Sequence, residues 1–264
     1  MYTVSDIVSS KIESYCRTWR MELEDTNSIL TGDKIVSASS TAQSTSLSDD
    51  IELGAVCSQS WNMTISDTET AFLGKEYDTY LYLVDYETSG ILAGEKIPMG
   101  HFTCVKSKKS GGSVQLTMAD RLYFSDKPYV PHIPIPNWNR SVEDDICRQL
   151  GLQNGNDYTE VRLLRDKNGR RLIDKNGKVL YSKYFYFKVS SVPKDVTMRQ
   201  MLSYLASAQG EFGYVDRYGK YVRKWYGKSV KTLDNNTIDL PTLSERQNVI
   251  FGICLLYTSP SPRD

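Results

Sequence analysis

Histidine is nearly missing from this chain. Only His101 and His132 occur, 31 residues apart, and neither stands in an H-x-x-x-H or H-E-x-x-H pattern. That excludes the common histidine-based metal and metalloprotease arrangements and predicts surface or partly packed histidines. Cysteine is sparse and scattered: Cys16, Cys57, Cys104, Cys147 and Cys254 are odd in number and never form a C-x-x-C. Such spacing argues against a disulfide framework and a zinc site, so reduced, mostly buried thiols are expected. Net charge is absent too, with 32 basic residues against 32 acidic ones. No overall field gathers nucleic acid or an anionic membrane. The longest apolar run, Val249 to Tyr257, is nine residues and is broken by Gly252, too short to span a bilayer. The opening MYTVSDIVSSKIESYC lacks a basic region followed by an apolar stretch, so a soluble chain outside the general export route, with no membrane insertion, is expected.

What is present is length and tyrosine. At 264 residues the chain is long enough for two domains or one elaborated domain. Its 18 tyrosines fall in alternating runs, such as Tyr77, Tyr80, Tyr82 and Tyr86, and Tyr181, Tyr184 and Tyr186. Large amphipathic side chains in alternation suit strands with one wet face. A short N-terminal helix over residues 3 to 14 is predicted from Val4, Ile7, Val8 and Ile12, with Thr3 and Asp6 as a capping box. From Arg17 to about Thr117 the period becomes two, in RTWRMELE, DKIVSAS, SQSWNMTIS, TYLYLVDYE, HFTCVKSK and VQLTMAD. Glycine-containing turns such as Ser110-Gly111-Gly112 separate them. Six or seven strands over roughly a hundred residues suggest a closed or nearly closed antiparallel barrel.

Near Met118 the texture changes. MADRLYFSD reads as a helical turn leading into KPYVPHIPIPNW, where four prolines remove amide donors and force an extended crossing. Ser141 then reads as the cap of a helix, SVEDDICRQL, stopped by Gly151. In a second helix Thr197 and Gln200 form a capping box, Met201, Leu202, Leu205 and Ala208 give the apolar stripe, and Gly210 ends it. Two strands around Asp216-Arg217-Tyr218-Gly219 follow.

Several stretches invite a functional reading. Asp166-Lys167-Asn168-Gly169 and Asp174-Lys175-Asn176-Gly177 repeat the letters of a calcium loop. An EF-hand loop, however, needs alternating oxygen ligands and a closing glutamate between helices. Here Arg170 occupies a ligand position, no glutamate closes the loop and the flanks are β-like. Asn-Gly is a favoured hairpin centre, so two turns and a three-stranded meander over 161 to 165, 170 to 173 and 178 to 189 are predicted. Glu143-Asp144-Asp145 could be a paired-carboxylate site, but in a helix's first turn such residues complement the macrodipole. They read as a structural cap. Lys108-Lys109 before Ser110-Gly111-Gly112-Ser113 lacks the G-x-x-x-x-G-K-[ST] spacing of a phosphate cradle and reads as a hairpin loop. The stretch Tyr218 to Lys231, with Lys220, Arg223, Lys224, Lys228 and Lys231 among aromatics, is the strongest candidate for nucleic-acid contact. It equally describes a hairpin's solvent face, and the neutral overall charge favours that reading. No catalytic constellation, metal site or cofactor is expected.

The order of elements resembles the baseplate hub family of tailed bacteriophages, which includes the T-even hub and the N-terminal part of siphophage tail-associated endopeptidase proteins. The resemblance covers about residues 1 to 253. It rests on SDIVSSKIESYCRTWRMELE, IELGAVCSQSWNMTI, KIPMGHFTCVKSKKSGGSVQLTMADRLYFSDKPY and MLSYLASAQGEFGYVDRYGKYVRKWY. In that family a strand leads through a lysine-rich hairpin to a "D-R" helix start, and a later helix runs into a "Y-D-R-G-K" hairpin. Pro98, Gly100, Phe102, Val105, Asp120, Arg121, Leu205, Ala206, Gly210, Asp216, Arg217 and Gly219 fit those places.

The resemblance implies an α+β, β-dominated fold. Residues 1–117 would be an N-terminal helix and first tube-like antiparallel β-barrel, and 118–225 an inserted α/β domain with the meander. Residues 226–253 would begin a second, truncated β-barrel. The last residues, 254–264, resemble a translated sequencing adapter at a broken metagenomic contig, which predicts an artefact tail; a native Ser-Pro linker is the alternative. The implied role is a virion structural subunit of the tail tip, made in the bacterial host cytoplasm. A homotrimer would form a ring continuous with the tail tube, contacting distal tail, tip or fibre proteins, with DNA only in transient passage. The alternatives are the N-terminal part of a peptidoglycan hydrolase or endopeptidase whose catalytic domain lies elsewhere, and a carbohydrate-binding module using the tyrosine-rich strands.

Overall fold

The computed structural model describes residues 18–25, 29–30, 32–41, 53–67, 69–84, 96–158, 161–163, 170–178, 181–183 and 187–224. The predicted helix over 3 to 14, the first DKNG turn, Cys16, Cys254 and everything from 225 onward lie outside them. The described chain is β-dominated. Seven strands form one sheet: β1 (Thr18–Glu24), β2 (Ile29–Leu30), β3 (Ile35–Thr41), β5 (Ser60–Ile65), β6 (Glu76–Val84), β7 (Ile97–Ser110) and β8 (Ser113–Ala119). Their order is β2-β1-β6-β7-β8-β5-β3, and every neighbouring pair is antiparallel.

Period-two alternation builds its core. Trp61, Met63 and Ile65 of β5 and Val114, Leu116 and Met118 of β8 point inward, while Asn62 and Gln115 between them are exposed. Met21, Leu23, Phe72, Tyr77, Phe102 and Cys104 complete the cluster. Each such side chain stabilises the fold by about 1.5–3 kcal/mol relative to exposure. Among the described residues no ladder joins the end strands β2 and β3, so the barrel expected from the sequence is not closed by hydrogen bonds. The sheet is curled all the same. Leu30 and Ile35 lie on opposite edges, yet five residues reach at most about 17 Å. Six flat strand spacings would separate those edges by about 29 Å. The turn between them touches both flanks: a Cβ on Gly32 would sit 3.2 Å from the Met21 carbonyl, and Ser66 N donates to Lys34 O at 2.8 Å.

An α/β unit packs beside the sheet. Its mixed sheet runs β10-β15-β14-β4, from β4 (Val56–Cys57), β10 (Gln153–Asn154), β14 (Phe212–Val215) and β15 (Lys220–Lys224). The unit also holds β9 (Asn137–Trp138), β11 (Val161–Leu163), β12 (Tyr181–Lys183), β13 (Lys188–Val189) and a 3-10 turn, η1 (Arg121–Asp126). Helices α1 (Asn139–Gln149) and α2 (Met198–Ser207) carry Val142, Ile146, Cys147, Met201, Leu202 and Leu205 into a core with Val56, Val215 and Tyr221. The capping box of α2 forms as the sequence predicts, Gln200 N donating to Thr197 Oγ1 at 3.1 Å and Thr197 N to Gln200 Oε1 at 2.9 Å. Helix α1 differs from expectation. It begins two residues before Ser141, with Trp138 at the cap position and no side-chain cap bond. The predicted meander also differs. β11 pairs antiparallel with β12, whereas the first and third strands of a meander run the same way, so this is a hairpin. Its described turn has Asn176 N donating to Asp174 Oδ1 at 2.8 Å and Gly177 at φ 78°, the left-handed geometry that favours glycine.

Candidate functional site

Among the described residues no group of three His, Cys, Asp or Glu side chains is placed to hold a metal ion, and no helix is long and apolar enough to cross a membrane. Cys57, Cys104 and Cys147 are buried and in no disulfide. Burial pushes the Cys104 thiol up to about 11 and raises Cys147 further in the same direction. Thiols in that state are poor nucleophiles at neutral pH. Hydrogen bonding and charge concentrate instead in two places: the contact between the curled sheet and the α/β unit, and the interior of the α/β unit.

Asp120 centres the first. It ends β8 and caps η1, accepting from Leu122 N at 3.0 Å and Ser58 Oγ at 2.9 Å through Oδ1, and from Gln59 N at 2.7 Å through Oδ2. Burial pushes its pKa up to about 6, against the hydrogen bonds from Gln59, Ser58 and Leu122 and the charge of Arg199. Arg199 of α2 ties three elements: it donates to Asp126 at 2.7 Å and to the carbonyls of Val56 and Leu122, both at 2.8 Å. Gly54 N donates to Glu211 O at 2.7 Å and Gly213 N to Ala55 O at 2.8 Å, fixing β4 against β14. Gly54 has φ 80°, and a Cβ there would fall 1.7 Å from Ser207 Oγ. Only glycine fits this approach.

Arg121 pairs with Glu76 of β6, and His101 of β7 lies 3.2 Å from the same carboxylate and 2.9 Å from Asp78. Burial raises the pKa of Glu76, but His101 and Arg121 outweigh it, and the net shift is downward. The Asp216–Gly219 turn of the β14–β15 hairpin reaches this spot, a Cβ on Gly219 lying 3.5 Å from His101 Cβ. Sequence reasoning left His101 as a surface or partly packed residue; it stands at the contact, partnered by two carboxylates. His132 is exposed, and its backbone N–H donates to Asp145 at 3.0 Å.

The second place corrects two readings. Glu143 and Asp145 are not first-turn caps but interior residues of α1. Arg223 of β15 donates to Glu143 at 2.7 Å through Nε and to Glu211 at 2.8 Å through Nη1, with all three side chains at 1–2 % exposure. Tyr158 hydrogen-bonds Glu143, and Asn156 accepts from Arg223 N at 2.6 Å and donates to Glu143 at 3.2 Å. Burial raises the pKa of Glu143, opposed by Arg223, and raises that of Tyr158. Asp145 accepts from Tyr129 OH at 3.0 Å and Gln149 at 3.1 Å. Arg223 is therefore withdrawn from any nucleic-acid surface. Lys220 and Lys224 are exposed on the same strand, and Lys228 and Lys231 lie outside the described residues. Removing one partner of such a buried charge group is far costlier than its net contribution suggests, and its inaccessibility denies it a substrate.

One signal could have revealed Glu143. It stands three and four residues before Ile146 and Cys147, on the apolar face of α1. A carboxylate there needs a buried counter-charge.

No protein-family model matches the chain, and no curated protein matches it. Two solved structures are similar in outline. The 43 kDa tail protein of prophage MuSo2 from Shewanella oneidensis has a TM-score of 0.41 at 12% identity, covering 80% of this chain and 57% of that one. A tail protein from Neisseria meningitidis MC58 has a TM-score of 0.42 at 10% identity, covering 83% and 56%. The chain thus spans little more than half the length of either, and scores this low leave the likeness a bare similarity.

Proposed function

We propose that this chain is a structural subunit of a bacteriophage tail tip, of the baseplate hub type. Three copies form a ring whose curled sheets line a passage continuous with the tail tube and whose outer surfaces hold other tail proteins. One observation carries the reading: Asp120, Arg121 and the Asp216–Gly219 turn, all behind the ordered sequence resemblance, gather where the curled sheet meets the α/β unit, while Gly100 and Phe102 belong to the sheet itself and Leu205 to the core of the α/β unit. Gly100 and Phe102 lie on β7, and Gly100 takes φ 139° against the Phe102 ring. Asp120 and Arg121 make the contact described above. Leu205 and Ala206 are buried on α2, and Asp216 and Gly219 form the turn that meets His101. The contact holds two units in fixed relation, with Asp120 engaged by Ser58, Gln59 and Leu122, Arg121 by Glu76, and Asp216 by the backbone N–H groups of Tyr218 and Lys220. The role is mechanical and not catalytic.

Antibody raised against the chain and applied to phage particles from a host carrying the gene tests this. Gold label at the tail tip, with threefold density in averaged images, is the expected result. Label on the capsid or the tail shaft, or a twofold density without a pore, overturns it.

A further inference from the structure

We propose that Asn176 is a modification site, at which the chain reacts with itself and then with water to turn the asparagine into aspartate and isoaspartate. It lies in the second DKNG repeat, a motif that a mechanical role leaves without a task. Asp174 organises the turn: Asn176 N and Lys178 N donate to its Oδ1 at 2.8 and 2.9 Å, and Gly177 N to its carbonyl at 3.0 Å. The Asp216–Gly219 turn repeats these bonds. Tyr218 N and Lys220 N donate to Asp216 Oδ1, both at 2.9 Å, and Gly219 N to the Asp216 carbonyl at 3.0 Å. The two glycines match as well, at φ 74° for Gly219 and 78° for Gly177. Tyrosine thus serves in one turn where asparagine stands in the other, so the turn itself does not require an amide side chain at that place.

The reaction is a ring closure. The backbone nitrogen of Gly177, its proton taken by hydroxide, attacks Cγ of Asn176; the N–Cγ bond forms, the Cγ–Nδ2 bond breaks, and ammonia leaves with a proton from water, which restores the hydroxide. Water then opens the five-membered succinimide, at Cγ to give aspartate or at the backbone carbonyl to give isoaspartate. One water is consumed, one ammonia is released and nothing is oxidised. Asn176 and Gly177 are exposed. Glycine puts no Cβ in the path of the attack, and a Cβ built there meets nothing within 4 Å, so the backbone has room to swing. The Gly177 N–H is held by one turn bond at a hairpin tip, the kind of bond that opens locally. Asn154-Gly155 carries the same letters in a different setting. Asn154 Nδ2 donates to Asp144 at 2.8 Å and to Tyr158 OH at 3.0 Å, and its Oδ1 accepts from Asn156 N at 3.1 Å. Gly155 N donates to Tyr221 O at 2.8 Å, and a Cβ on Gly155 would lie 3.0 Å from Lys220 Cβ. Electrophile and nucleophile are both fixed in other bonds there, which protects the pair. At Asn176 the product sets a second carboxylate beside Asp174, and as isoaspartate it lengthens the backbone by one methylene and breaks the turn.

The test incubates the full chain in mildly alkaline buffer, with and without urea, and follows each asparagine by peptide mapping with fragmentation that tells isoaspartate from aspartate. In the folded chain Asn176 is expected to gain the mass that replaces NH2 by OH, while Asn154 lags by about tenfold or more, because its rate is set by a rarer opening. In urea the two rates converge. Gly177→Ala, whose added Cβ obstructs the attack, loses most of the reaction at Asn176, and continued protection of Asn154 in the same sample shows that this variant keeps its fold. The proposal is overturned if Asn176 stays unmodified in the folded chain, or if Asn154 keeps pace with it there. It is likewise overturned if the ratio of the two rates is the same in urea as in buffer, or if Gly177→Ala reacts as fast as the parent.

Discussion

In the curled sheet the inward positions of β1, β5 and β8, from Met21 and Leu23 to Val114, Leu116 and Met118, are apolar, and charge lies on the opposite face, where Glu22 is buried against Lys96, or at the turns. In the α/β unit Arg223, Glu143, Glu211 and Asp145 lie in the interior beside Val142, Ile146 and Leu205. The sheet gains its stability from area removed from water, a non-directional force that tolerates changes conserving volume. The α/β unit adds a directional requirement: two carboxylates meet one guanidinium and a phenol donates to one of those carboxylates, so α1, β15 and the residue leading into β14 fit in one register. Apolar packing holds the sheet together, and buried charge fixes the arrangement of its neighbour.

The largest test of that contrast is Arg223→Met. Leaving Glu143 and Glu211 without their cation costs about 3–5 kcal/mol, read as a fall in the denaturant midpoint. Adding Glu143→Leu and Glu211→Leu recovers most of it, because the apolar set removes the stranded charges; a triple variant no better than the single one breaks the comparison. Leu116→Ala in the sheet costs about 3 kcal/mol through the cavity it leaves, and the same measurement shows no salt or pH dependence in the loss.

The contact region differs from both. The folded pKa of Asp120, about 6, lies above the ordinary aspartate value of 3.8, so the folded state holds the proton more tightly. Its contribution is present in full below about pH 4 and is lost as pH rises through 6. At 1.36 kcal/mol per pKa unit the span is about 3 kcal/mol. Relative to Asp120→Asn, the parent therefore loses about 2 kcal/mol between pH 4 and 6 in urea titrations, and the full span between about pH 3 and 7. Smallest is Gly177→Val. It forces a β-branched residue into the left-handed region and costs about 1 kcal/mol, confined to the hairpin tip, while a chelator leaves the melting temperature unchanged.

Local grammar made much of this fold legible. Alternation placed β1, β5, β6, β7 and β8, and the Thr197–Gln200 box placed the start of α2, because each signal lies within a few residues of the structure it specifies. Distant partners were not legible. Glu143 resembled a cap because Arg223 lies 80 residues away. The hairpin of β11 and β12 resembled a meander because turn letters give turns but not pairing order. The segment leading to Cys57 carried no sign that it leaves the curled sheet to lie parallel to β14. His101 gained its place only when the Asp216–Gly219 turn came to rest beside it.

The pairing of β4 with β14 also sets a timetable. Val56 and its partner Gly213 are 157 residues apart. A ribosome adding about 5–20 residues per second releases the first roughly 8–30 seconds before the second. During that wait β5 through β8 have all been made and are free to pair, so the curled sheet has the time to assemble before β4 has its partner. Order of synthesis thus makes the older part of the nascent chain available as a template for the younger.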